Sequence, residues 1–290
     1  METRGGDMFN RKLKNATIEI YDERHKKYDA SYKNMQNMCE KLYSTRVEAV
    51  KYIKWIQEII NSIANTPKEI DTELGKVDLE LIAFKETEKY AEEAQKEVIK
   101  AGVNIAEGVI GSVGFAAASP AAMMSIATTF GTASTGTAIS ALSGAAAEKA
   151  AVAWLGRTFA GFAVKEGAGM AAGKAFLALA GPMGIGISAA TISVSLARLT
   201  KKNKQLSEEL VKEAMSLEEA RESLDESYIK IKALKDKTGL LLMDIKKQKT
   251  DIGQYMNINY CDLSVEEKKF LGTLVNNTLS LSELLNKTIE

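Results

Sequence analysis

Residues that bind metals or act as nucleophiles are scarce in this chain of 290 residues. The single histidine, His25, and the two cysteines, Cys39 and Cys261, leave no cluster able to hold zinc and no Cys/His or Ser/His/Asp arrangement. The two distant cysteines form no disulfide framework, and their own pairing stays open. We therefore expect no catalytic residue, no metal, no cofactor and no enzyme activity.

Charge is nearly absent from the middle of the chain, although 38 Lys and Arg balance 38 Asp and Glu overall. Between Ala101 and Ala197 only seven side chains are charged, and 15 of the 21 glycines lie there. The zero net charge is thus an average of two charged ends and an uncharged middle. No net field draws the chain to nucleic acid, and we expect no nucleic-acid partner.

Heptad-like spacing of apolar residues runs through the N-terminal part. From Ile18 to Ile63 the apolar positions alternate by three and four, which predicts one helix from about Met8 to Asn65, roughly 87 Å long. Pro67 ends it. A second seam from Ile70 to Ile105 predicts an antiparallel partner. His25, Cys39, Arg46, Glu88 and Gln95 fall on these seams, so we interpret them as core or register positions.

The uncharged run from Gly108 to Ala147 is 40 residues long, about twice what one membrane crossing needs. It predicts two arms, Gly108–Phe130 and Thr137–Leu155, joined by a turn at Gly131–Gly136. A second uncharged run, Ala175–Ala197, contains a break at Pro182.

Between the uncharged runs, the stretch Glu148–Lys174 carries six charges and must face water, an interface or paired charges. Small residues dominate the whole middle part, which favours close helix packing over permanent anchoring. A buried Ala-rich hairpin in a soluble protein is the alternative interpretation. The sequence around Gly173 and Lys174 resembles a phosphate-binding loop, but Ala168 and Ala175 replace the required glycine and hydroxyl residue.

The C-terminal part returns to amphipathic helices. Leucines at heptad spacing predict a long helix from about Ser188 to Lys249, interrupted near Gly239. Ser264 and Glu267 form a capping-box pattern that opens a last helix. Basic residues flank both edges of the middle part, which favours an even number of crossings, two or four.

This order of elements resembles the α-helical pore-forming toxins of the cytolysin A and haemolysin BL/enterotoxin kind. The resemblance covers the whole chain as architecture, without a matching motif. It implies an all-α fold: residues 1–107 and 198–290 form a long-helix, coiled-coil tail bundle, and residues 108–197 form a Gly/Ala-rich hydrophobic helical head. Two departures are the length of the apolar block and the start METRGGDMFNRKLK, which has no signal-peptide pattern.

We therefore expect a membrane-inserting, pore-forming or permeabilising protein that changes from a soluble form to an oligomer. It would be made in the cytosol, and its partners would be a lipid bilayer, of the host or a target, and further copies or related toxin subunits. The alternatives are a membrane-associated helical scaffold without a pore and a soluble all-α binding module.

The residues predicted to enter the membrane are the larger apolar residues of the head: Val109, Phe115, Pro120, Met123, Ile126, Phe130, Ile139, Leu142, Trp154, Leu155, Leu177, Ile185, Ile187 and Ile192. Those predicted to support turns or close helix packing are Gly108, Gly131, Gly136, Gly144, Gly169, Gly173 and Pro182.

Overall fold

A computed structural model describes residues 3–100, 144–159 and 203–287, and single positions between 124 and 142. Over these residues the fold is all-α, and their one β feature is an isolated parallel bridge between Ala64 and Asn259. The elements are α1 (Thr3–Asn61), α2 (Lys68–Lys100), α3 (Gly144–Phe159), α4 (Asn203–Lys247), the short α5 (Lys249–Gly253), a 3-10 turn (Tyr260–Asp262) and α6 (Val265–Asn286).

Four long helices run up, down, up and down. Ion pairs join Arg24 to Glu218 and Glu48 to Lys246, so α1 and α4 rise together and are parallel. Tyr43 Oη donates to Glu88 Oε1 over 2.6 Å, and Gln57 Nε2 donates to Asp78 Oδ1 over 2.9 Å. These pairs confirm that α2 is antiparallel to α1.

The last helix, α6, runs beside α2 in the same direction. Asn286 Nδ2 donates to the Glu80 carbonyl over 2.8 Å, far from the Ala64–Asn259 bridge near the start of both helices. We call the end with this bridge the upper end of the bundle and the opposite end the lower end. Helix α2 runs downward and α4 runs upward, so the part of the chain between them, which includes α3, is connected to the lower end of the bundle on both sides.

The first helix ends at Asn61, four residues earlier than the sequence predicts. The chain leaves the helix because Ala64 pairs with the C-terminal part: its N–H donates to the Ile258 carbonyl over 2.8 Å, and its carbonyl accepts from Tyr260 N–H over 2.9 Å. Asn65 then takes a left-handed conformation, with φ 59°, which asparagine tolerates better than most residues.

Buried seam positions confirm the predicted helical periodicity at the upper end. There, α1, α2, α4, α5 and α6 share one apolar core, which we call the upper cluster. Ile53 and Ile56 of α1 and Val77 of α2 are fully buried in it. Ser264 and Glu267 form the predicted capping box of the last helix, and this helix buries one apolar face. The buried positions at helical spacing are Leu271, Leu274, Thr278, Leu281 and Leu285.

A second core, the lower cluster, fills the space between the lower parts of α1 and α4. It contains Tyr28, Met35 and Cys39 of α1, and Leu217 and Leu224 of α4. Arg46 lies on α1 between the two clusters and is fully buried. Burial lowers the pKa of its guanidinium to about 9, because the charged form loses its hydration.

Two predictions about helix boundaries are wrong. No break occurs near Gly239, since α4 is continuous and its neighbours Thr238 and Leu242 are buried, so packing outweighs the low helix propensity of glycine. The helix predicted from Thr137 to Leu155 does not include Thr137 or Leu142: α3 begins at Gly144 and extends to Phe159. Residues 188–202 lie outside the described part of the chain.

Candidate functional site

The lower cluster joins the predicted head to the tail. Five residues from the nearly uncharged middle of the chain are buried in it beside residues of α1 and α4. They are Met124, Ala127, Ile139, Ala151 and Val152, none more than 2% exposed. Because α1 and α4 contribute the other side of this core, the segment and the tail helices bury each other's apolar surface.

Gly131 is the tightest point of the segment. A Cβ atom at this position would lie 2.5 Å from Ile139 Cδ1 and 3.1 Å from Trp154 Cγ, and it would also overlap the Ala127 carbonyl oxygen. The Gly131 N–H donates to the Ala127 carbonyl over 2.8 Å, and the Gly131 carbonyl accepts from Ile139 N–H over 2.9 Å. The missing side chain therefore lets three parts of the segment meet at one place.

These hydrogen bonds explain why the second arm starts late. Ile139 lies in a 3-10 turn, and its carbonyl accepts from Leu142 N–H over 3.0 Å. Gly131 and Ile139 are thus joined by a backbone hydrogen bond before α3 begins at Gly144. The residues before and after Gly144 are small and lack the hydrophobic periodicity from which the start of a helix can be predicted.

Helix α3 contacts the lower cluster mainly through Ala151, Val152 and Trp154. Ala151 is fully buried, Val152 nearly so, and Trp154 packs against the edge of the lower cluster, whereas Lys149 is exposed. A helix surface of this kind approaches its neighbour closely but buries little area per residue.

On the tail side, the site has a row of buried aromatic and sulfur groups. Burial raises the pKa of Tyr28 to about 12 and raises the pKa of Tyr32 well above its usual value. Burial also raises the pKa of the Cys39 thiol, which is in the reduced form and fully buried, while Cys261 is reduced and exposed. These groups are neutral near pH 7 and serve as apolar surface.

Ion pairs fasten α1 to α4 next to this surface. Glu218 accepts from Arg221 Nη2 over 2.6 Å and lies 3.3 Å from Arg24 Nη1, so one carboxylate links the two helices. The hydrogen bond from Arg221 holds the pKa of Glu218 below its usual value. Arg221 also donates to Asp225 over 2.6 Å. All these groups are at least partly exposed, which limits what they add to stability.

The structure describes six of the predicted head residues. Ile139 is buried in the lower cluster, Leu142 is half-buried, and Trp154 packs on the cluster edge. Leu155 and Gly144 lie in α3, and Gly131 is the tight position of the turn. The remaining predicted residues lie outside the described part of the chain: Val109, Phe115, Pro120, Met123, Ile126, Phe130, Leu177, Ile185, Ile187, Ile192, Gly108, Gly136, Gly169, Gly173 and Pro182.

Sequence reasoning missed four residues that contact the tail, namely Met124, Ala127, Ala151 and Val152. The spacing of Met124, Ala127 and Gly131 follows one side of a helix and is a signal that could have found the first two. Ala151 and Val152 are small residues among many, and no such signal marks them.

None of the helices that the structure describes is both long enough and apolar enough to cross a membrane. Within the same residues, no three His, Cys, Asp or Glu side chains come together as a possible metal site. The sequence matches no protein-family model, no curated protein and no solved structure.

Proposed function

We propose that the protein permeabilises membranes by exchanging contacts within its own fold for contacts with lipid and further copies of the chain. The observation that carries the proposal is the burial of Met124, Ile139 and Val152 against α1 and α4. In this proposal the uncharged middle of the chain is a head, held on the tail in one form and inserted in a bilayer in the other.

The energetics favour such an exchange. Full burial of a side chain such as Ile139 in the lower cluster contributes only about 1.5–3 kcal/mol. Alanine and glycine contribute less. A bilayer that binds the open form better than the closed form shifts the population by that difference in affinity. The tail keeps its own upper cluster throughout and holds the molecule together.

Release of a fluorescent dye from vesicles tests the activity. Purified protein is added to vesicles of phosphatidylcholine with phosphatidylglycerol over a range of pH, and leakage is expected in at least one condition. A charge pair at Phe115→Asp and Ile126→Lys is expected to abolish leakage and leave helicity unchanged, since a charge costs about 2.5–3.5 kcal/mol at the centre of a membrane helix.

The matched control places the same charges at the same spacing on exposed positions of α2, as Thr72→Asp and Ala83→Lys. This variant is expected to leak dye as the unmodified chain does. Loss of leakage in both variants, or no leakage from the unmodified chain in any condition, contradicts the proposal. Stable vesicle binding without leakage supports instead a membrane-associated helical scaffold.

Cys39 reports the opening of the head directly. In the Cys261→Ser variant it is the only thiol, and it is fully buried in the lower cluster. We expect slow alkylation by a maleimide in buffer and faster alkylation when vesicles are added. An alkylation rate that vesicles leave unchanged while dye escapes shows that the lower cluster stays closed, which contradicts the exchange.

A further inference from the structure

Each of the parallel helices α1 and α4 carries one buried polar residue where the lower cluster meets the upper cluster. On α1, Leu42 belongs to the lower cluster and Ala49 to the upper cluster, and Arg46 is the one buried residue between them. On α4, Thr238 is in the same way the one buried residue between the two parts of the apolar seam. Both Arg46 and Thr238 are fully buried.

The two polar residues lie near the same height of the bundle. Two ion pairs between α1 and α4 fix the register of these helices and place Thr238 within about two turns of Arg46. The Thr238 hydroxyl donates to the Leu234 carbonyl over 2.8 Å. On α2, Glu88 accepts from the Tyr43 hydroxyl over 2.6 Å. Polar groups from three helices therefore share this level.

The apolar core is interrupted at this level. Among the described residues, no buried apolar side chain belongs to both clusters. Tyr43 and Leu241 contact both clusters, but they are only partly buried. The two clusters are therefore joined through partly exposed side chains, whereas the fully buried positions at this level of α1 and α4 are those of Arg46 and Thr238.

A guanidinium at this level changes the cost of opening the lower cluster. A charge inside a protein core loses its hydration, and a hydrophobic residue of similar size in its place often leaves the fold as stable or more stable. When the bundle opens from the lower end up to Arg46, the guanidinium regains water. The upper cluster meanwhile keeps the apolar contacts among its own members. Opening to this level therefore costs less free energy than opening across a continuous apolar core.

We propose that Arg46, together with Thr238, sets the level to which the lower cluster opens while the upper cluster stays closed. Arg46 lowers the cost of this opening, and Thr238 adds a second polar group on the neighbouring helix. The role of this boundary rests on the proposed function, because such an opening would free the head without unfolding the tail.

The rates at which buried thiols react with a maleimide measure the opening of each cluster. In the Cys261→Ser variant, Cys39 reports on the lower cluster. In a Cys39→Ala, Cys261→Ser background, Val275→Cys reports on the upper cluster, where Val275 is buried on α6. In buffer without vesicles, the thiol of the lower cluster is expected to react several-fold faster than the thiol of the upper cluster.

Arg46→Met tests the part that the charge plays, since methionine is unbranched and adapts to an irregular core. This change is expected to slow the alkylation of Cys39 by about tenfold, because the opened form no longer gains the hydration of a guanidinium. Arg46→Lys keeps a positive charge and is expected to leave Cys39 at least as reactive as before. Ala214→Cys, a buried position of the lower cluster on α4, is expected to be slowed by Arg46→Met as Cys39 is.

A matched pair of threonine substitutions tests the position of the boundary. Thr238 and Thr278 are both fully buried, and the Thr278 hydroxyl donates to the Leu274 carbonyl over 2.7 Å, the same kind of bond that Thr238 makes. Thr238→Val is expected to slow the alkylation of Cys39, by a smaller factor than Arg46→Met does. Thr278→Val, on α6 within the upper cluster, is expected to leave the rate at Cys39 unchanged.

The outcomes separate the boundary from the activity. Equal rates for the two clusters, a rate at Cys39 that Arg46→Met leaves unchanged or raises, or equal effects of the two threonine changes overturn the boundary. Dye release by the same unmodified chain still upholds the permeabilising function in that case. The expected pattern of alkylation rates in a chain that releases no dye upholds the boundary and contradicts the function.

Discussion

The upper and lower clusters of the bundle are built from different parts of the chain. The upper cluster takes its residues from α1, α2, α4, α5 and α6, all of them tail elements. The lower cluster takes its residues from α1 and α4, with Leu284 of α6 and five further residues from the nearly uncharged middle of the chain. One end of the bundle is thus complete by itself, and the other is completed by a segment whose composition differs from that of the tail.

The largest expected effect compares a core truncation in each cluster. Ile53→Ala in the upper cluster is expected to lower the free energy of unfolding by about 2–5 kcal/mol, because it leaves a cavity where the side chain was fully buried. Urea unfolding followed by circular dichroism measures it. Ile139→Ala in the lower cluster is expected to lower the free energy of unfolding by less and to make the alkylation of Cys39 faster. Equal shifts in both variants would indicate one cooperative unit.

The next effect is a pH dependence located in the lower cluster. The pKa of Tyr28 is raised to about 12 from its usual 10. The neutral phenol is therefore favoured in the folded state, and its contribution is complete below pH 10 and is lost as the pH rises toward 12. The loss is roughly 1.4 kcal/mol for each pH unit in that window.

Tyr28→Phe is expected to remove this part of the pH dependence, measured as unfolding midpoints at pH 9 and pH 11. Tyr52→Phe is the matched control, because Tyr52 is half-buried against the upper cluster and lies outside the lower cluster. If the two variants respond to pH alike, the tyrosine of the lower cluster does not cause the loss.

A smaller effect concerns the turn at Gly131. Gly131→Ala places a methyl group against Ile139 and Trp154 and is expected to cost about 1–3 kcal/mol by overpacking, with faster Cys39 alkylation. The same substitution at Gly75, in α2, meets no atom within 4 Å and is expected to stabilise the helix by about 0.5–1 kcal/mol. A loss of stability for Gly131→Ala together with a gain for Gly75→Ala would show that the packing is tight at Gly131. A change of the same sign in both variants would contradict tight packing there.

The smallest effect tests the upper end. Ser264 accepts from Glu267 N–H over 3.2 Å, and its own N–H donates to Glu267 Oε2 over 2.8 Å. Ser264→Ala is expected to lower the free energy of unfolding by about 1 kcal/mol. Cys39 alkylation is expected to stay unchanged, since the cap lies far from the lower cluster. A faster alkylation would mean that the two ends are coupled.

Sequence reasoning succeeded where side chains carry a strong period. The seams of α1 and α6 were predictable because large apolar residues recur every three or four positions, and Ser264 with Glu267 has a recognisable capping pattern. It failed at Asn61, where tertiary pairing of Ala64 with the Ile258–Tyr260 segment ends the helix. It also failed at Thr137, because the helix begins only at Gly144 and the small residues before it carry no hydrophobic period that marks this start.

The parallel course of α1 and α4 has a consequence for how the chain tolerates change. Helix α2 ends and helix α4 begins at the same, lower end of the bundle. The stretch between them can therefore connect the two helices without running the length of the bundle. Doubling the length of a flexible connection costs only about 0.6 kcal/mol of loop-closure entropy. A change in its length therefore need not alter the register of α1, α2, α4 and α6.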